Sequence, residues 1–144
     1  MITGFSHVGI AVANLERSIE FYRDLLGMQV IQDVPFEGPR YDSILALRGA
    51  KGRVAVLRIG NLELEFFEFL HPAGRSQDPN RPVSERGITH FAVEVDDLAG
   101  IYERLQAAGV VFHCPPIDFG FAAATYLRDP DGNVIELLQM PAAA

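Results

Sequence analysis

The stretch FSHVGIAVANLERSIEF, residues 5–21, recurs in altered form as ITHFAVEVDDLAGIYER, residues 88–104. When His7 is set over His90, apolar residues coincide along both stretches. Each stretch then continues with apolar periodicity to a glycine, Gly27 in the first and Gly109 in the second. Similarity of this kind within one chain indicates a repeated structural unit, here of about 70 residues. The chain of 144 residues is therefore predicted to contain two copies of that unit.

The periodicity of the first copy predicts the order strand, helix, then three strands. Alternating apolar residues indicate strands, whereas apolar residues at a spacing of three and four indicate a helix. Asn14 is a good helix N-cap, and Gly27 is a good C-terminal stop. The prediction is a strand over 5–13, a helix from Asn14 to Gly27, a strand over 28–34, a loop over 35–42, a weaker strand over 43–48, and a hairpin over 53–59 and 62–70.

The second copy follows the same order, after a segment that has no periodicity. Residues 71–86 contain three prolines and several charges, which is typical of a linker. The sequence thus predicts one α+β domain over residues 1–144, with module 1 at about 5–70, the linker at 71–86 and module 2 at about 87–140. Within module 2 we expect a strand over 88–95, a helix capped by Asp96 or Asp97 and ending near Ala108, a strand over 110–113, and a hairpin over 122–128 and 133–139.

The composition excludes several classes of function. The formal net charge is −7 and there is no run of Lys or Arg, so neither nucleic acid nor an anionic membrane is an expected partner. Cys114 is the single cysteine, so no intramolecular disulfide can form. No window approaches ~18 uninterrupted apolar residues, and the N-terminus does not resemble a signal peptide. We therefore expect a cytoplasmic protein that acts on a small molecule.

Four polar side chains lie at equivalent places in the two copies. His7 and His90 each lie on the first strand, opposite its larger apolar residues, and small residues follow them on that face. Glu65 and Glu136 each lie just inside the last strand. A lone strand histidine or glutamate is usually structural or solvent-facing, but two matching pairs favour a shared role. Imidazole and carboxylate together suit one divalent ion of Zn, Ni, Co, Mn or Fe.

The sequence resembles the vicinal oxygen chelate superfamily, which includes glyoxalases, epimerases, extradiol dioxygenases, fosfomycin-resistance proteins and bleomycin-resistance proteins. The pieces that carry the resemblance are SHVGIAVANLERSIEFYRDLLGMQV, ITHFAVEVDDL and YLRDPDGNVIEL. It implies that paired βαβββ modules form a cup-shaped half-barrel around a metal ion. The family's ligand positions fall on His7, Glu65, His90 and Glu136. Whether the cup forms within one chain or between two stays open.

The stretch GNLELEFFEF, with GITHFAVEVDD after the linker, looks most like glyoxalase and epimerase members. The resemblance implies a lyase or isomerase that removes a proton beside a carbonyl group and passes through an enediolate. Glu136 and Glu65 are the candidates for moving the proton, and Tyr126 is a further candidate catalytic residue. Residues 35–52 depart from what is expected of an epimerase. Superfamily members often pair, and the exposed first strands also favour a homodimer.

Two alternatives follow from the same resemblance. An extradiol dioxygenase would bind iron through His7, His90 and Glu136, with Tyr126 as its acid–base group. His113 is then the nearest match for a second active-site histidine, although it is not a convincing one. A bleomycin-resistance-like protein would bind a small molecule without chemistry, in a cup lined by aromatic residues. The presence of all four potential ligands favours an enzyme over such a protein.

Overall fold

A computed structural model describes residues 1–142 and divides the chain into two compact units, Met1–Ser76 and Gln77–Ala144. We call these units module 1 and module 2. Each combines a sheet with one or two helices, so the predicted α+β class is confirmed. Among the described residues, no helix is both long and apolar enough to cross a membrane.

Module 1 contains a four-stranded sheet in the order β1-β4-β3-β2. β1 runs parallel to β4, while the other neighbours are antiparallel. The first and last strands of the module are therefore hydrogen-bonded to each other. The elements are β1 (Val8–Ala11), α1 (Leu15–Glu20) with a π-helical turn (Phe21–Leu25), β2 (Gln29–Glu37), α2 (Pro39–Leu45), β3 (Lys51–Ile59) and β4 (Leu62–His71).

Helix α1 begins where the sequence predicts. The Asn14 side chain accepts a hydrogen bond from the backbone N–H of Arg17 at 2.9 Å, as an N-cap does. The buried side of the helix then packs against the sheet. The Tyr22 ring lies 4.6 Å from that of Phe66, and both side chains are fully buried. This face of the sheet forms the main core of module 1.

The prediction for residues 35–48 is wrong. Pro35 belongs to β2, opposite Arg53, because β2 is an edge strand and an edge position tolerates a residue without an N–H group. A helix, not a strand, follows. Pro39 is its first residue, a position that suits proline, and the helix ends at Leu45, which is followed by Ala46 in the left-handed conformation.

Module 2 repeats this plan in a shorter form. Its sheet has the order β5-β9-β8-β6, with β5 parallel to β9, and a short β7 pairs with β8. Asp97 caps the helix by accepting from Gly100 N–H at 2.9 Å. The short strand β7 is an addition to the predicted order. The elements are β5 (Phe91–Glu94), α3 (Leu98–Ala107), β6 (Val111–Phe112), β7 (Ile117–Asp118), β8 (Ala123–Arg128) and β9 (Val134–Gln139).

A side chain of the last strand binds the helix start in both modules. In module 1 the Leu15 N–H donates to the Glu68 carboxylate at 3.4 Å. In module 2 the Leu98 N–H donates to the Gln139 amide oxygen at 2.8 Å. Both bonds satisfy an N–H group that a helix start would otherwise leave without a partner. The repeat therefore extends from the strands to the anchoring of the helices.

Part of the predicted linker is bound to module 2. The Arg128 guanidinium donates to the backbone oxygens of Pro79 at 3.1 Å, Arg81 at 2.9 Å and Gly132 at 2.9 Å. A planar guanidinium carries several N–H donors in a fixed arrangement, so one side chain can hold several carbonyl groups. Arg128 thereby connects the segment that precedes β5 to the turn between β8 and β9.

Candidate metal-binding site

Module 1 brings His7 and Glu65 together. The sequence predicts a strand over 5–13 that contains His7. In the structure the strand begins one residue later, at Val8, so His7 immediately precedes β1. Glu65 pairs with Gly9, two residues after His7. Since paired residues and residues two apart share a face of a sheet, both side chains point the same way. Nε2 of His7 lies 3.4 Å from Oε2 of Glu65.

Module 2 brings His90 and Glu136 together with the same register. Glu136 pairs with Ala92, which is again two residues after the histidine. Nε2 of His90 lies 3.1 Å from Oε2 of Glu136. Both modules therefore present a ring nitrogen and a carboxylate oxygen from the first and last strands of a sheet.

Both separations suit two ligands of one ion. Metal–nitrogen and metal–oxygen bonds of about 2.1 Å place adjacent donor atoms about 3.0 Å apart at a right angle and about 3.4 Å apart at a tetrahedral angle. The measured distances, 3.1 Å and 3.4 Å, fall in this interval. The ring nitrogens and carboxylates also match the preferences of the borderline divalent metals. By distance and chemistry, each pair fits two ligands of a divalent ion.

The neighbouring glutamates of β4 have other partners. Glu63 binds the Arg58 guanidinium at 2.7 Å across the β3–β4 hairpin. Glu68 lies on the opposite face and binds the start of α1. The structure thus gives Glu63 and Glu68 partners of their own and places Glu65 beside His7.

A hydroxyl group contacts the other ring nitrogen of each histidine. Ser6 Oγ lies 3.1 Å from Nδ1 of His7, and Thr89 Oγ1 lies 2.9 Å from Nδ1 of His90. Sequence reasoning missed both residues. The alignment that sets His7 over His90 also sets Ser6 over Thr89, and that coincidence is the signal by which they could have been found.

Tyr126 lies beside the pair in module 2. It is the cross-strand partner of Glu136, and its hydroxyl lies 3.4 Å from Nε2 of His90. Burial, together with the nearby charge of Glu136, raises the pKa of Tyr126 above its ordinary value. The phenol consequently keeps its proton at neutral pH. At the equivalent place in module 1, the partner of Glu65 is Val56, which has no polar group.

His113 is a second histidine near Tyr126. Its backbone N–H donates to the Tyr126 carbonyl at 2.9 Å, and the two ring centroids are 5.9 Å apart. Burial, and to a smaller extent the charge of Arg128, lower the pKa of His113. At neutral pH this histidine is therefore a neutral neighbour of Tyr126.

The aromatic residues that could line a binding cup differ between the modules. In module 1, Phe36 is buried, and its ring contacts those of Tyr41, Phe67 and Phe69. In module 2, Phe119 and Phe121 are mostly exposed, with ring centroids 6.1 Å apart. These four aromatic side chains of module 1 therefore form one packed cluster.

The structure pairs the four predicted ligands two by two. Within residues 1–142, no group of three or more His, Cys, Asp or Glu side chains is close enough to hold an ion. Module 1 contributes a His–Glu pair, and module 2 contributes a second His–Glu pair with Tyr126 next to it.

Comparisons with known proteins agree with this architecture. The sequence profile of the Glyoxalase/Bleomycin resistance protein/Dioxygenase superfamily matches residues 4–137. The chain belongs to this superfamily. The predicted family is thereby confirmed.

Curated relatives of this superfamily member include lactoylglutathione lyases. The one from Pseudomonas aeruginosa is 29% identical, over 94% of this chain and 81% of the relative. The one from Neisseria meningitidis is also 29% identical, over 92% of this chain and 88% of the relative. These relatives are enzymes, which confirms at family level the prediction that the chain is an enzyme.

Solved structures of superfamily members show the same fold. A glyoxalase family protein from Bacillus cereus superimposes with a TM-score of 0.89 at 20% identity, covering 97% of this chain and 95% of that one. Glyoxalase I from Leishmania major gives 0.67 at 24% identity, covering 96% and 87%. At such identities the likeness concerns the fold alone.

Proposed function

We propose that the chain is a metal-dependent lyase or isomerase that moves a proton beside a carbonyl group of a small chelating substrate. The observation that carries this proposal is the pair of His–Glu contacts at equivalent positions, each with the separation expected of two ligands to one ion. The names of the curated relatives support the lyase class.

We propose that His7, Glu65, His90 and Glu136 together would hold one divalent ion of Zn, Ni, Co, Mn or Fe, with the two pairs supplied either by one chain or by two. A bound ion of this kind polarises a carbonyl oxygen and stabilises the negative charge of an enediolate. Four protein ligands would leave two positions of a six-coordinate ion, which would be enough for the vicinal oxygens of a chelating substrate.

The glutamates are the proposed proton carriers. A carboxylate beside the carbon that bears the acidic hydrogen can accept that proton and return it elsewhere. Glu136 is the stronger candidate, because the Tyr126 phenol lies in the same cluster and keeps its proton. The phenol can then donate a hydrogen bond to an oxygen on which negative charge develops. Glu65 is the other candidate.

The proposed substrate is a small 2-oxo or 2-hydroxy carbonyl compound. The relatives' name supplies a first compound to test, since a lactoyl thioester carries a hydroxyl and a carbonyl on adjacent carbons. Its two oxygens would chelate such an ion. Its reactive hydrogen lies on the carbon next to the carbonyl group.

A second candidate function is ring cleavage of a catechol by an iron-bound form of the protein. The contact of the Tyr126 hydroxyl with Nε2 of His90 favours it, because a phenol beside an imidazole can exchange a proton with it. This function would use His7, His90 and Glu136 as ligands. Oxygen and a bidentate substrate together need three positions on a six-coordinate ion, so Glu65 would have to leave the ion.

One experiment compares the two candidates. The metal-loaded protein is incubated in deuterated water with lactoylglutathione and a panel of 2-oxo and 2-hydroxy carbonyl compounds. The iron-loaded protein is incubated separately with catechols under air. We expect deuterium at the carbon beside the carbonyl, detected by NMR, and an exchange rate lower by about 100-fold or more in Glu136→Gln.

The matched control is Glu103→Gln, which removes an exposed carboxylate of α3 and should leave the exchange rate unchanged. A ring-opened catechol product, without exchange into any carbonyl compound, would show that the dioxygenase proposal is the better one. Binding of substrates without either reaction, in protein that holds no metal, would instead favour the non-catalytic binding protein.

We also propose a homodimer in the cytoplasm. β1 and β5 each lie at an edge of their own sheet, and an edge strand has backbone groups available for another chain. Light scattering at micromolar concentration should give twice the chain mass of 15.9 kDa. A mass equal to that of one chain would contradict the dimer.

A further inference from the structure

The metal-binding histidines of the proposed function are each preceded by a hydroxyl residue. Ser6 Oγ lies 3.1 Å from Nδ1 of His7, and Thr89 Oγ1 lies 2.9 Å from Nδ1 of His90. On the other side of each ring, Nε2 faces a glutamate carboxylate. Each imidazole thus lies between a hydroxyl and a carboxylate, in the same order in both modules.

The carboxylate and a bound ion require different states of Nε2, because one accepts a hydrogen bond from it and the other needs its lone pair. Without an ion, Nε2 of a neutral His90 ring can donate a hydrogen bond to the Glu136 carboxylate 3.1 Å away, and it then carries the proton. With an ion, Nε2 must offer its lone pair, so the proton of the neutral ring moves to Nδ1. Loading the site therefore reverses which ring nitrogen carries hydrogen.

A hydroxyl is suited to both states. It can donate its hydrogen to an unprotonated Nδ1, and after rotation it can accept a hydrogen bond from a protonated one. A backbone carbonyl or a carboxylate can only accept, so it would favour one tautomer throughout. The recurrence of a hydroxyl in both modules, as serine in one and threonine in the other, follows from this chemistry.

We propose that Ser6 and Thr89 are positioning residues, which hold the two imidazoles in place and stay hydrogen-bonded while the ring tautomer changes on metal binding. The inference rests on the proposed metal site. It adds two residues that act through His7 and His90, and it explains why those two positions carry hydroxyls. Partners of metal-binding histidines typically contribute about 10-fold to 100-fold in affinity.

The test is a titration of the metal-free protein with Co²⁺, followed by its visible absorption, at one pH for all variants. Thr89→Val keeps the side-chain shape and removes the hydroxyl, whereas Thr89→Ser keeps the hydroxyl. Ser6→Ala is the counterpart in module 1. Thr3→Val, at an exposed position, is the matched control. Circular dichroism and thermal unfolding of the metal-free variants check that each one folds.

We expect Thr89→Val and Ser6→Ala to bind Co²⁺ about 10-fold to 100-fold more weakly, and Thr89→Ser and Thr3→Val to bind it as the wild type does. Nitrogen-15 NMR of the rings should show the proton on Nε2 without metal and on Nδ1 with Zn²⁺. Wild-type affinity in both Thr89→Val and Ser6→Ala, or a tautomer that does not change, would overturn this inference alone. A wild type that binds no cobalt would overturn the metal proposal and the inference with it.

Discussion

The two modules share their His–Glu pairs but differ in what surrounds each pair. In module 1 the cross-strand neighbour of Glu65 is Val56, whereas in module 2 the neighbour of Glu136 is Tyr126. The repeated part is thus a pair of donor atoms, and the part present in module 2 alone is a phenol that can donate a hydrogen bond. Under the proposed function, both modules would bind the ion and module 2 would assist the proton transfer.

The modules differ again in how they pack their aromatic side chains. Helix α2 of module 1 covers Phe36 with Tyr41 and Leu45, which makes a small second core. The matching part of module 2 contains the short strand β7 and leaves Phe119 and Phe121 exposed. Module 1 therefore buries its aromatic side chains within itself, and module 2 keeps two of them accessible.

The largest expected effects come from the main cores. Phe66 and Leu137 occupy equivalent positions, each one residue after the site glutamate, and both are fully buried. We expect Phe66→Ala to lower the free energy of unfolding by about 3–5 kcal/mol and Leu137→Ala by about 2–5 kcal/mol, measured by chemical denaturation. Either substitution costing less than about 1 kcal/mol would show that its module is not packed as described.

Removing one histidine at a time tests whether both modules bind the same ion. We expect His7→Ala and His90→Ala each to weaken Co²⁺ binding by more than about 100-fold, since a lost ligand costs more than a lost partner of a ligand. Elemental analysis after reconstitution provides a second measurement. His71→Ala, at an exposed position of β4, is the control. Equal occupancy in His90→Ala and wild type would show that the assigned site is wrong.

Tyr126 and Val56 test the proposed division between the modules. Tyr126→Phe should slow deuterium exchange by about 10-fold, because one hydrogen bond to the developing charge is lost. Its affinity for Co²⁺ should stay close to that of the wild type. Val56→Thr changes the equivalent residue of module 1 at constant shape and should leave the exchange rate unchanged. If Val56→Thr slowed deuterium exchange more than Tyr126→Phe, module 1 and not module 2 would be the one that assists the proton transfer.

The smallest expected effects concern the helix caps, where the modules should behave alike. Asn14→Ala and Asp97→Ala should each lower the free energy of unfolding by about 1 kcal/mol, because each leaves a helix N–H without its side-chain acceptor. Asn14→Ser and Asp97→Ser should retain most of the stability, as serine caps well. If only one of the two alanine substitutions lowered the free energy of unfolding, the two caps would not be equivalent.

Much of this architecture could be predicted from the sequence because each pattern occurs in both copies of the repeat. Two histidines and two glutamates at matching positions favoured a metal site that neither copy alone would support. The caps at Asn14 and Asp97 also followed from local chemistry that needs no tertiary information. The pairing of each histidine with its glutamate agrees with that reasoning, although metal binding itself stays a prediction.

The remainder depended on tertiary context. Pro35 suggested a loop, but a proline is tolerated in β2 because that strand lies at the edge of its sheet, which the sequence does not show. Residues 43–48 lack a clear period, and part of α2 is held there by packing of Tyr41 and Leu45 against Phe36. The asymmetry between Val56 and Tyr126 became visible only once the strand register had made them equivalent.

The parallel pairing of the first and last strands has a consequence during synthesis on the ribosome. Val8 pairs with Leu64, and Phe91 pairs with Ile135. The first strand of each module therefore has no partner strand until almost the whole module has been translated. At about 5–20 residues per second, that interval lasts a few seconds. Throughout it, the β1 or β5 segment of the nascent chain has unpaired backbone groups that a chaperone can bind.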